Sequence, residues 1–156
     1  MSDTDQLFEQ LLAETQEAYS KASSNWMPDP ADYSCLLLEV QTGTFKADKN
    51  NPASPNLFFI KPLWQIIGHT TLDQVQFTGS MLTNRSQGSL GVMKGFLEKL
   101  NGEATDSLAD AVKKAKGLAG TLCQIRITES KDGKYKNDRI QEVLEYPTAE
   151  GAVAAA

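Results

Sequence analysis

Two cysteines, one histidine and six prolines in 156 residues leave little material for several common architectures. Cys35 and Cys123 alone do not make the disulfide framework that staples small secreted domains. His69 is the single histidine, so no ordinary zinc site can be assembled from His and Cys. No apolar run approaches the ~20 residues that a membrane-spanning helix needs. Bases are also in deficit, fifteen against twenty acids, for a formal net charge of −5. The first ten residues, MSDTDQLFEQ, are acidic and polar, unlike a signal or transit peptide. The expectation is a cytoplasmic protein without a membrane span.

Catalytic patterns are missing as well. The segment GSLGVMKG at 88–95 has a lysine but neither the spacing of a phosphate-binding loop nor its following Ser or Thr. A calcium loop could start at Asp48 and Asn50, but Ala53 stands at the turn glycine and Phe59 at the closing Glu. The carboxylates are scattered over helices and loops, with no pair placed for acid–base work. The chain is therefore expected not to be an enzyme.

What is present is an uneven charge distribution. Residues 1–32 carry seven acids and one base, whereas residues 33–144 carry fourteen bases and eleven acids. The body of the chain is mildly basic and the N-terminal region acidic, which says more than the total does. Three regions follow: an acidic helix and linker over 1–32, a β-rich domain over 33–146, and a small-residue tail over 147–156. In residues 3–22, Leu7, Phe8, Leu11, Leu12, Ala18, Tyr19 and Ala22 recur at helical spacing. That amphipathic helix is expected to pack on its own domain. The other reading is an arm for a neighbouring subunit or another protein. The prolines of SSNWMPDPAD end it, and Trp26 and Met27 are expected to plug one end of the core.

Strands dominate from residue 33 on. YSCLLLEVQT (33–42) alternates, with Leu36, Leu38 and Val40 on one face. Residues 43–56 form a polar, basic loop containing Phe45, Lys46 and Lys49. LFFIKPLWQIIG (57–68) places Phe58, Ile60, Trp64 and Ile66 on a core face and Phe59, Lys61, Leu63 and Gln65 on the other, with Pro62 marking an edge, bulge or bend. A third strand spans 75–82, with Gly79 as a candidate bulge. Two helical patterns, 90–100 and 107–116, come next, split by Asn101-Gly102. The chain then enters a hairpin at 117–144: Cys123, Ile125 and Ile127 point inward, Arg126 outward, and Asp132-Gly133 turns.

Five strands with a helix or helix pair between the third and fourth is the element order of the OB-fold, a five-stranded Greek-key barrel, here of the α+β kind with an extra N-terminal helix. The stretch from Asp32-Tyr33 through residues 57–67, and the late series Leu118-Ala119-Gly120, Cys123, Ile125, Ile127, Asn137, Ile140 and Val143, resembles a family of phage and prophage OB-fold proteins over about residues 30–146. That resemblance implies binding of single-stranded DNA in replication, recombination or repair, without metal or nucleotide cofactor, in the host cytoplasm if phage-encoded. Many such proteins carry their acid in a C-terminal tail, whereas here it lies in residues 3–32.

Aromatics that stack on bases and Lys or Arg that track phosphates are the means of sequence-tolerant binding. The candidates are Lys61 and Arg126, then Phe59, Tyr135, Lys134, Lys136 and Lys131, then Lys46, Lys49, Phe45 and Arg85. Arg126 is expected to meet Phe59 and Lys61 across the face. The partner is then single-stranded DNA, with replication or recombination proteins reached through the N-terminal helix and a homo-oligomer compatible with the same arm. The alternative is a protein-interaction or assembly module that binds no nucleic acid.

Overall fold

The computed structural model describes residues 2–21 and 26–147. Its elements run α1 (Asp3–Lys21), β1 (Ala31–Lys46), β2 (Asn56–Ile66), β3 (Gln76–Thr78), β4 (Leu82–Thr83), α2 (Gln87–Asn101), α3 (Leu108–Lys116), β5 (Leu122–Glu129) and β6 (Lys136–Glu145). All six strands belong to one antiparallel sheet of order β3-β2-β1-β5-β6, with β4 also paired to β2. No ladder joins β6 to β3 or β4, so the sheet is open and the expected closed barrel is not formed.

The two free edges nevertheless meet through one side chain. Asp138 on β6 accepts a hydrogen bond from Trp64 Nε1 at 3.1 Å and another from the Ser80 backbone N–H at 2.6 Å. Gly79 makes this approach possible, because a Cβ there would collide with the Asp138 carboxylate and lie 2.6 Å from the Pro62 ring. The Gly79–Met81 break is also why the expected third strand is split into β3 and β4. Pro62 sits opposite that break. Its carbonyl accepts from Gly79 N at 2.8 Å, and its missing N–H leaves no gap in a continuous ladder.

The core lies between one face of the sheet and the α2–α3 pair. Cys123, Ile125 and Ile127 on β5, and Ile60, Trp64 and Ile66 on β2, are buried as their alternation requires. On β1 the alternation changes phase. Tyr33, Cys35 and Leu37 are buried, then a register shift between Leu37 and Glu39 brings Val40 to the same face. Strict two-residue counting grouped Val40 with Leu36 and Leu38; one bulged residue is enough to reverse it. Ser86 and Ser107 cap α2 and α3 by accepting from Ser89 N and Asp110 N, and Gly102 ends α2 with a φ of 73°. Met93, Leu97 and Leu100 on α2 and Ala111 and Ala115 on α3 are buried against the sheet.

Two expectations at the N-terminal side fail. Leu7, Phe8, Leu11, Leu12 and Tyr19 on α1 are all exposed, so this helix does not pack on its own sheet. Met27 is buried, but Trp26 is 43% exposed and plugs nothing. β1 runs past the strand expected at 33–42: Phe45 and Lys46 belong to it, and the loop shrinks to residues 47–55. Ala22, residues 23–25 of the linker and the tail from 148 onward lie outside the described residues. Among the described residues no helix is long and apolar enough to cross a membrane.

Candidate nucleic-acid interface

The face of β1 and β2 opposite the core carries the first part of the site. Register pairs Gly43 with Phe59, Phe45 with Leu57 and Gln41 with Lys61, so these side chains share one face. Phe59 lies across the Gly43 backbone: a Cβ at residue 43 would sit 2.6 Å from two atoms of its ring. Here glycine is required by the close seating of the ring. Phe45 and Phe59 are neighbours at 6.4 Å between centroids, tilted 45°. The Lys61 ammonium stands 5.3 Å from the Phe59 centroid, and the Arg85 guanidinium carbon 5.5 Å from that of Phe45. The result is a row of cation, ring, ring and cation in the order Arg85, Phe45, Phe59, Lys61. Neither ring is buried, and neither is covered by α1.

Local bonding fixes the row. Asn84 Oδ1 accepts from Phe58 N at 3.0 Å, which holds the loop after β4 against β2. Arg85 then donates from Nη1 to Ala47 O at 3.1 Å. Both cations lie over rings at distances where cation–π attraction operates.

Lys61 also lines a cleft of about 620 Å³ shared with Trp26, Thr78–Met81 and, from the hairpin, Lys134, Tyr135 and Lys136. Tyr135 is 68% exposed, and Met81 and Trp26 also reach solvent. The hairpin tip that presents Lys134 and Tyr135 is held by its own bonds. Ser130 Oγ donates to Asp132 Oδ1 at 2.6 Å, Lys134 N donates to the same oxygen, and Tyr135 N donates to Ser130 Oγ. The Ser130 hydroxyl and the Lys134 N–H hold the Asp132 carboxyl below its ordinary pKa. Gly133, with φ 72°, supplies the left-handed residue of the turn. Lys136 is less available, because its ammonium donates to Met27 O at 3.1 Å and lies 3.6 Å from Asp29. In doing so it pins the segment that carries Trp26 to the hairpin.

Seven expected residues thus adjoin one surface: Arg85, Phe45, Phe59 and Lys61 on the row, and Lys134, Tyr135 and Lys136 around the cleft. Lys49 is exposed in the loop next to the Arg85 end, and Lys46 donates to Ser54 O at 3.4 Å. Lys131 is exposed in the hairpin turn but does not line the cleft. Arg126 does not join them. It pairs with Asp32 through two bonds of 2.8 and 3.1 Å, and these hold the Asp32 carboxyl below its usual pKa. On β1 the partner of Arg126 is Asp32 and that of Phe59 is Gly43, eleven residues away and so about 36 Å of strand contour. Trp26 and Met81 were missed as site residues. A tryptophan beside two prolines reads as a plug, and only the tertiary position of the hairpin turns it into a cleft wall.

The sheet interior holds two thiols, Cys35 and Cys123, which are register partners and fully buried. Burial pushes both up to about 12, Cys35 with added repulsion from Cys123 and Asp138. They are packing residues at neutral pH. Among the described residues no group of three or more His, Cys, Asp or Glu is placed to hold a metal. Comparison with protein-family models, with curated proteins and with solved structures finds no match.

Proposed function

We propose that this protein binds single-stranded DNA without strong sequence preference, as a non-enzymatic factor in replication, recombination or repair. The observation that carries the reading is the Arg85–Phe45–Phe59–Lys61 row, two half-buried rings between two cations on one face of the sheet. Bases stack on the rings while Arg85, Lys61 and the exposed Lys49 and Lys134 meet phosphates. A duplex has no free base faces for the rings to take. The path continues from Lys61 into the cleft, where Tyr135 and Trp26 offer further stacking surfaces.

The fold reading that goes with this is an OB-like barrel left partly open, with β3 and β4 together in the place of a third strand. It is supported by the sheet order, by the helix pair inserted before β5, and by Asp138 joining the edges that a closed barrel would pair. OB-folds take single strands over their second and third strands and adjoining loops, which is where the row and cleft lie.

The test is fluorescence anisotropy of a labelled dT oligomer and of a duplex, each at two salt concentrations. Three or four phosphate contacts give a slope of log K against log salt of about −2 to −3 for a single strand. Truncating Phe59 to Ala removes one stacking surface and lowers affinity by about 1–3 kcal/mol. Equal binding of duplex and single strand, or no binding at low salt, would reject the reading.

A further inference from the structure

The exposed apolar stripe of α1 and an open groove elsewhere in the same chain match in apolar character and in charge. On a helix advancing 100° per residue, Leu7, Phe8, Leu11 and Leu12 form one stripe, and all four are exposed. Acids flank that stripe on both sides, Asp5 and Glu9 on one and Asp3 and Glu14 on the other.

The groove runs between α2 and β6 beside the open edge of the sheet, with a volume of about 330 Å³. Leu82, Val92, Phe96 and Ile140 line it, and Val92 is 62% exposed. Each wall carries one base, Lys99 from α2 and Arg139 from β6, and neither has an ion pair among the described residues. Gly95 on the α2 wall has open space where a Cβ would stand. Glycine is a poor helix former, and here its place lets another backbone approach.

We infer that the groove is the docking site for α1 of a second copy of this chain. The apolar stripe fills the groove floor, and the acids on its two flanks meet Lys99 and Arg139 on the two walls. This is the helix-in-groove mode of recognition. A second copy is the occupant because the single chain leaves both surfaces open at once. The contact is heterologous, α1 of one copy to the groove of the next, so it propagates head to tail. The inference is independent of DNA binding.

Sedimentation velocity of the full chain, from micromolar to near-millimolar concentration, tests it. Leu11→Asp disables the helix and Val92→Asp the groove; both positions are exposed, and circular dichroism checks that each variant folds. Arg139→Glu reports on the groove without altering α2. The wild type should associate with concentration, and each variant alone should stay at the 17.0 kDa monomer. Mixing Leu11→Asp with Val92→Asp should yield a species of twice that mass that grows no further, since one variant keeps its groove and the other its helix. A wild type that stays monomeric overturns the inference. So does association of Val92→Asp and Arg139→Glu equal to wild type, which would mean that α1 pairs with α1, and so does a mixture that remains monomeric.

Discussion

Replacing Asp138 by alanine removes the side chain whose hydrogen bonds tie β6 to the β3–β4 edge. Two donors lose their acceptor: the indole N–H of Trp64, a fully buried residue, and the partly buried Ser80 amide. A hydrogen bond to a charged group contributes about 1.5–3 kcal/mol, and a buried donor left without a partner carries its full desolvation penalty. Two such losses amount to about 3–6 kcal/mol. Removing a partly buried carboxylate recovers roughly 1 kcal/mol of its own desolvation. The net loss is about 2–5 kcal/mol, which for a chain of this size lowers Tm by about 6–15 °C. Urea denaturation and calorimetry measure both. A double-mutant cycle with Trp64→Phe, which deletes the N–H, should give a coupling of about 1.5–3 kcal/mol, because the single losses share one bond. Asp138→Asn should recover less than half, since its amide nitrogen faces a donor. If Asp138→Ala changes stability by under ~0.5 kcal/mol, the comparison with the usual scatter of surface substitutions refutes the claim that this residue holds the edges together.

Three further outcomes follow from the same geometry. Gly43→Ala should lift the Phe59 ring from the strand and weaken single-strand binding several-fold while the far-ultraviolet spectrum is unchanged; an unaltered affinity would separate ring seating from binding. Arg126→Glu should lower DNA affinity less than Lys61→Glu, because Arg126 is paired with Asp32 and lies about 36 Å of strand contour from the aromatic row, so an equal loss would move the site. Stability should fall on the alkaline side: both thiols have raised pKa values in the fold, so their contribution is complete below pH 9 and is lost as pH rises from 9 towards 12. The slope is about 1.4 kcal/mol per pH unit for each thiol, and Cys35→Ala/Cys123→Ala should flatten it.

The local elements were legible because their signals are local. Alternation marked β2 and β5, Asp132-Gly133 marked the hairpin, and Asn101-Gly102 marked the break between the two helices, whereas α2 starts at Gln87 behind its Ser86 cap, three residues before the expected 90. The phase change on β1 was not, because a bulge between Leu37 and Glu39 leaves no mark in a run of leucines. Nor was the open sheet. The order of elements is the same whether β6 pairs with β3 or reaches across it with Asp138, and that choice depends on a contact between residues 58 positions apart. The site divides in the same way. Phe59 and Lys61 shared a face by simple counting, and Phe45 joined them because β1 and β2 pair beyond the expected strand ends. Arg126 also points outward, but outward-facing residues on one sheet can be far apart, and register along β1 separates it. The exposure of α1 follows from no property of its sequence, since an amphipathic helix reads alike whether its partner is its own sheet or another chain.

The central claim is that a single strand lies along the Phe45–Phe59–Lys61 row and into the Tyr135 cleft. Ultraviolet crosslinking of a bound dT oligomer, followed by mass spectrometry of the crosslinked peptides, tests it most directly. The account predicts adducts on Phe45, Phe59 and Tyr135, reduced in Lys61→Glu. Adducts confined to peptides around Arg126 and Arg139, or none under conditions where the oligomer is bound, would contradict it.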